Sequence, residues 1–257
     1  MANQNPAAGS RELAGQVALV TGGAKNIGRA ISLALAAAGA AVAVNTLSSR
    51  EEAEAVVQEI RAGGGEAEVF IADIADAAAV RAMGEGVIKR FGKIDILVLN
   101  ASQRREILFK DMTFEDWRNT MSITLDGSFH CIKACLPSML EHKSGNIIAL
   151  GGDAVLLGGN RKSHNTTAKN GLVGLTRALA KELAEDGIRM NCVSPGSFNT
   201  TRPAHRSARA DPKGKIPLGR RGEPAEIASV VRFLCGPGGG FITGQILHVN
   251  GGAFVFA

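Results

Sequence analysis

Val17-Ala18-Leu19-Val20-Thr21-Gly22-Gly23-Ala24-Lys25-Asn26-Ile27-Gly28 is the stretch that decides the fold. Four apolar residues end in a glycine-rich turn, and Ile27, Ile31 and Leu35 then recur every four residues. The pattern passes from strand to helix with only the turn between them. Glycines there let the backbone approach a pyrophosphate, and a helix N-terminus adds unpaired N–H groups and partial positive charge. This setting predicts a dinucleotide site over residues 22–28.

Outward from the turn, short apolar runs at 17–20, 41–44, 69–72, 94–99, 147–150, 190–193 and 246–249 read as strands. None alternates polar with apolar, which suits parallel strands covered on both faces. Helical spacing links Met121, Leu125, Phe129, Ile132 and Leu136, and also Leu172, Leu175, Leu179 and Leu183. Ser49 with Glu52 three residues on predicts a capping box opening the helix after the second strand. Strand–helix alternation predicts an α/β fold: a single-domain, Rossmann-type, doubly wound parallel sheet of about seven strands. The domain is expected over residues 13–257, with 1–12 a flexible tail.

Of the 257 residues, 45% are apolar and 21% charged, so the chain can bury a large core and is not disordered. Net charge is 29 − 24 = +5, but aromatics make up only 4%, and no dense basic run suggests nucleic acid. The apolar stretch 30–44 is broken by Ser32 and Gly39, so no membrane span is expected. The N-terminus lacks the basic-then-apolar pattern of a secretory signal. Cys131, Cys135, Cys192 and Cys235 form no metal-type cluster and read as core residues, so a cytoplasmic, reducing location is expected. The chain contains no tyrosine.

From Leu13 onward the sequence resembles the short-chain dehydrogenase/reductase family. Thr21, Gly22 and Gly28 match its TGxxxGxG motif, with Asn26 at the middle glycine. Asn tolerates left-handed backbone better than other non-glycine residues. Asp73-Ile74 resembles the pair beside the adenine ring, and Asn100-Ala101-Ser102 differs by one residue from the family's Asn-Ala-Gly. Pro195-Gly196 with Thr200 resembles the segment that holds the nicotinamide carboxamide. The closing stretch, from Ile216-Pro217-Leu218-Gly219-Arg220 to Asn250-Gly251-Gly252, is similar to that of 3-oxoacyl-thioester reductases.

The choice of dinucleotide is a question of charge. NAD binders place an acid after the second strand for the ribose 2′-hydroxyl. Here Asn45, Ser48 and Arg50 stand in that corner, with no acid before Arg50 and with Lys25 in reach. Two cations favour NADP(H) over NAD(H), because they pair with a 2′-phosphate.

The family's carbonyl chemistry uses Asn, Ser, Tyr and Lys. Lys169 matches the Lys, while Thr124, Gly152 and Asn165 stand at the Asn, Ser and Tyr positions. Asn165 can donate a hydrogen bond but cannot serve as the ionising acid. His164 and Asp153, beside the replaced positions, are candidate proton carriers. The family's 2,4-dienoyl-thioester reductases also lack the Tyr and keep the Lys. There, hydrogen-bond donors stabilise an enolate, and Asn165, Thr124 and Lys169 are candidates for the same task.

Three loops on the substrate side are basic: Arg104-Arg105, Arg161-Lys162, and Arg202, His205, Arg206, Arg209, Lys213 and Lys215 against Asp211. They suggest a small anionic substrate, such as an acyl thioester or carboxylate. Two functions follow. One is an NADP(H) oxidoreductase with an atypical proton route, reducing a C=C, imine or carbonyl. The other is a catalytically silent subunit assembled with an active relative. The resemblance implies a homotetramer or mixed oligomer built through the helices around 121–136 and 166–184.

Overall fold

The computed structural model describes residues 11–103, 105–153, 157–201 and 214–255. Seven strands form one sheet: β1 (Val17–Val20), β2 (Ala41–Thr46), β3 (Ala67–Ile71), β4 (Ile96–Leu99), β5 (Gly145–Leu150), β6 (Ile188–Pro195) and β7 (Ile246–Val249). Their order is β3-β2-β1-β4-β5-β6-β7, and every pair is parallel. The order reverses between β1 and β4, so the crevice of this doubly wound sheet opens at their carboxyl ends.

Helices α1 (Asn26–Ala37), α2 (Arg50–Ala62) and α7 (Pro224–Cys235) cover one face. Helices α3 (Ala77–Phe91), α5 (Gly127–Glu141) and α6 (Ser163–Glu182) cover the other. The pleat divides the core accordingly. Ala18 and Val20 pack with Ile31 and Leu35 of α1, whereas Val17 and Leu19 join Cys131, Cys135 and Leu172. The central strands β1 and β4 are therefore buried and apolar on both faces, as their continuous runs predicted, whereas the edge strands β3 and β7 are partly exposed and carry Glu68 and His248. The four cysteines are buried and free. Burial alone pushes the Cys131 thiol up to about 12, so it stays protonated and inert.

Three local expectations are corrected. Ser49 precedes α2 but makes no side-chain cap, because Glu52 turns instead to Lys25, 2.6 Å away. The helical stripe from Met121 to Leu136 is not one α-helix. A short helix α4 (Phe114–Met121) runs into a π-turn at Ser122–Asp126 before α5 begins, and Phe129 is 52% exposed rather than core. Residue Glu12 does not trail free: it pairs with Arg232 of α7 at 2.6 Å. The remainder of the expected tail, 1–10, lies outside the described residues, as do Arg104 and 202–213, where most of the basic loop residues fall.

Ile31 is fully buried between α1 and the sheet. Ile31→Ala is expected to lower stability by about 2–5 kcal/mol, and Ile31→Val by about 0.5–1.5 kcal/mol. Urea unfolding of the two variants checks the order.

Candidate active site

The turn after β1 is held by a hydroxyl. Thr21 Oγ1 donates to the Val98 carbonyl (3.1 Å) and accepts from the backbone N–H groups of Asn100 (3.0 Å) and Ala101 (3.1 Å). Asn100 Nδ2 returns the contact, donating to the carbonyls of Thr21 (2.9 Å) and Gly22 (3.0 Å). The carboxyl ends of β1 and β4 are thus fastened together at the switch point. Into this knot α1 presses Gly28, where a Cβ would collide with the Gly22 carbonyl oxygen and stand 2.6 Å from Asn100 Nδ2. Only glycine fits there.

Gly22 (φ +60°) and Asn26 (φ +50°) both adopt left-handed backbone, so Asn26 does take the conformation that its place in the motif requires. Its side chain has a further use, since Asn26 Oδ1 accepts from the Thr201 N–H at 2.7 Å. The segment carrying Thr200 is thereby drawn over the turn. Ile27, in the first turn of α1, is buried, and Lys25 is half-exposed at the rim.

Asn45 stands at this corner, but its amide is used internally. Nδ2 donates to the carbonyls of Phe70 and Ala72 (3.2 Å each), and Oδ1 accepts from Gly22 N at 3.4 Å. Asn45 therefore shapes the turn from beneath instead of facing a nucleotide. Ser48 is exposed. Both expected cations have carboxylate partners, Lys25 with Glu52 at 2.6 Å and Arg50 with Glu54 at 3.5 Å. After β3, Asp73 is exposed and its Oδ1 accepts from Ala75 N, while Ile74 is buried against Gly127.

Across the crevice lie the residues expected to act on substrate. Lys169 is buried on α6, and its Nζ donates to the Leu150 carbonyl at the end of β5. Asn165, one helical turn earlier, donates from Nδ2 to the Gln103 carbonyl at 2.9 Å. Thr124 sits in the π-turn with its hydroxyl fully buried and without a hydrogen-bond partner among the described residues. Gly152 has φ +156° and nothing within 4 Å of a notional Cβ, so a serine there would have room but a strained backbone.

The two proton-carrier candidates differ sharply. The His164 ring is fully buried and lies against the Arg105 backbone. Burial lowers its pKa against the opposing pull of Asp116, which holds it neutral. Asp153 is half-buried at the mouth. Its N–H donates to the Pro195 carbonyl (3.1 Å), and Oδ2 lies 3.0 Å from where a Cβ on Gly196 would be. Burial pushes its carboxyl up to about 6.

Of the basic loop residues, Arg105 pairs with Asp116 at 2.8 Å and Lys162 with Glu106 at 3.9 Å. The motif match includes Thr21 without giving it a role at the site, and the roles of Glu52, Asp116, Ser194 and His248 are not legible from the motifs. Thr21 had a signal, a hydroxyl leading the glycine turn; the others needed the fold.

A family profile described as enoyl-(acyl carrier protein) reductase matches residues 22–253. The chain belongs to the short-chain dehydrogenase/reductase family. It is 41% identical over 245 residues to a 3-oxoacyl-[acyl-carrier-protein] reductase from Synechocystis sp., covering 95% of this chain and 99% of that one. It is 39% identical over 244 residues to a (2S)-[(R)-hydroxy(phenyl)methyl]succinyl-CoA dehydrogenase subunit from Thauera aromatica, covering 94% and 98%. A short-chain dehydrogenase from Burkholderia cenocepacia, solved in complex with NADP, superposes with a TM-score of 0.87 at 35% identity, covering 94% and 99%. Among the described residues no helix is long and apolar enough to cross a membrane, and no cluster could hold a metal ion.

Gly28→Ala is expected to break the β1–β4 knot and abolish nucleotide binding. Asn45→Ala strips partners from buried backbone groups and is expected to cost about 1–3 kcal/mol of stability. Nucleotide titration and urea unfolding, read together on both variants, check the two claims.

Proposed function

We propose that the protein is an NADP(H)-dependent oxidoreductase that reduces a carbonyl, C=C or imine of a small anionic substrate such as an acyl thioester. In this reading Thr124, Gly152 and Asn165 stand in place of the family's Asn, Ser and Tyr. The observation that carries it is the closed nucleotide turn, in which Thr21, Asn100 and Gly28 lock the crevice and Asn26 draws in the Thr200–Thr201 segment. A tight turn that leads into a helix N-terminus lets the backbone approach a phosphate. The name of the Burkholderia relative, in complex with NADP, and that of the Synechocystis reductase support the same reading.

The fit extends along the crevice. Gly22, Asn26, Ile27 and Gly28 would cradle the pyrophosphate, Asp73 and Ile74 would flank the adenine, and Asn100 and Ala101 would line the floor. Pro195, Gly196 and Thr200 would hold the nicotinamide, and Lys169 its ribose. When bound, the nicotinamide supplies hydride. Thr124 and Asn165 present a hydroxyl and a second amide N–H that could stabilise an enolate or alkoxide oxygen. Lys25 and Arg50 would take the 2′-phosphate, but only after Glu52 and Glu54 release them.

A second reading, the silent subunit, also has a specific observation behind it. Asn165 is tied to Gln103, and the chain has no tyrosine to replace it. The Thauera relative is itself named a subunit. Exposed Phe114 and Phe129 on α4 and α5 support assembly, as a homotetramer or with a related chain, through this face.

Fluorescence titration with NADPH and NADH separates the two. Saturable, tighter binding of NADPH is expected, and absence of binding by either nucleotide overturns the oxidoreductase reading. Lys25→Ala is expected to weaken NADPH by roughly tenfold and leave NADH unchanged. Glu52→Gln, which frees Lys25, is expected to tighten NADPH roughly two- to fivefold. Lys169→Ala is expected to abolish turnover, whereas a silent subunit would activate its partner as before.

A further inference from the structure

We infer that Asp153 is the acid that gives the substrate its proton, taking the part that a tyrosine cannot play in this chain; the inference rests on the oxidoreductase reading above. The geometry separates it from its rival. His164 is wholly enclosed, with its ring toward Asp116, and has no exposed atom to offer a substrate. Asp153 lies where β5, β6 and β7 end together. Its N–H holds the Pro195 carbonyl, and its Oδ2 faces Gly196, whose N–H in turn holds the Val249 carbonyl. A carboxylate there stands beside the segment proposed to hold the nicotinamide.

Its surroundings suit a group that must be neutral to act. Asp153 Oδ1 is buried with no partner among the described residues, so the charged form is poorly solvated. One row deeper on the same sheet face, Ser194 and His248 are paired in register, and Ser194 Oγ and His248 Nδ1 are also buried without partners. This end of the sheet thus holds three buried polar atoms without hydrogen-bond partners among the described residues, a polar floor beside Asp153. Among the described residues, three other titratable groups lie at this end of the sheet. Lys169 reaches in from α6, with its ammonium on the Leu150 carbonyl. Cys192 from β6 lies under Gly151, its thiol pushed up to about 11 by burial. His248 comes from β7. None of these three is a carboxylate.

The step balances. Hydride from the reduced nicotinamide forms a C–H bond at the acceptor carbon, and the π bond to oxygen, or the conjugated C=C, opens. The O–H bond of Asp153 breaks and its proton goes to the developing oxyanion or enolate. The nicotinamide is oxidised, the substrate is reduced by two electrons, and water restores the proton to the carboxylate.

Asp153→Asn keeps the volume and removes the proton. Acetoacetyl-CoA and crotonyl-CoA serve as keto and enoyl probes with NADPH. The wild-type kcat for at least one is expected to fall about tenfold per pH unit above pH 6. In Asp153→Asn it is expected to be about 10²–10⁴-fold lower and flat with pH, with NADPH affinity unchanged. A second readout needs no turnover. The raised carboxyl of Asp153 favours folding while it is protonated, and that advantage fades as pH rises through about 6. The melting temperature of the wild type is therefore expected to fall relative to Asp153→Asn between pH 4 and pH 8. A variant that keeps wild-type turnover and pH profile overturns the inference, as does a melting gap that does not change with pH. If NADPH binds but neither thioester is reduced, the proton role falls and the nucleotide reading stands; if NADPH does not bind, both fall.

Discussion

The site depends on one steric constraint, the contact of α1 with the turn at Gly28. With no side chain at that position, the helix reaches the Gly22 carbonyl and the Asn100 amide, and the ends of β1 and β4 close around Thr21. Remove that closeness and the Thr21 hydroxyl loses its three partners, the floor at Asn100–Ala101 loosens, and Asn26 no longer meets Thr201. The helix N-terminus then points its free N–H groups at nothing defined. A tight turn is costly in chain entropy, since glycines lose the most freedom on folding. Here the cost is offset by a network in which the polar atoms of the turn are mutually satisfied.

The opposite bank of the crevice is built on another principle. Around the start of α6 and the ends of β5–β7, buried polar atoms lack hydrogen-bond partners among the described residues: Thr124 Oγ1, Asp153 Oδ1, Ser194 Oγ and His248 Nδ1 among them. Buried polar groups are otherwise satisfied in folded proteins, so such a concentration marks a place where partners come from outside the chain. One bank is rigid and self-contained, suited to a ligand part that does not change. The other holds unused donors and acceptors, suited to atoms whose charge changes during reaction.

Much of this was legible in the sequence, for physical reasons that differ from element to element. The strand at 17–20 ends where its apolar run ends, because a central parallel strand is covered on both faces. The turn was legible because only a few residue types tolerate left-handed backbone, and Asn26 is one of them. Side-chain partnerships were not. Ser49 and Glu52 had the spacing of a capping box, yet Glu52 prefers Lys25, which is distant in sequence and charged. Asn45 lay at the right corner, but the sequence could not show that the carbonyls of Phe70 and Ala72 and a glycine N–H claim its amide. The π-turn at Ser122–Asp126 keeps the apolar spacing of an α-helix while shifting Phe129 outward. Periodicity alone does not register one extra residue in a turn.

The choice between Asp153 and His164 shows the same limit most clearly. Both flank replaced positions of the motif, and by residue type the histidine is the better candidate at neutral pH. Burial reverses the order. It acts on both groups by disfavouring charge, which leaves histidine without its proton and aspartic acid with one. A buried imidazole near Asp116 is thus a neutral ring under a loop, whereas a half-buried carboxyl beside Gly196 keeps its proton up to about pH 6. The same physical effect disqualifies one candidate as an acid and qualifies the other, and it depends on accessibility that only the folded chain supplies.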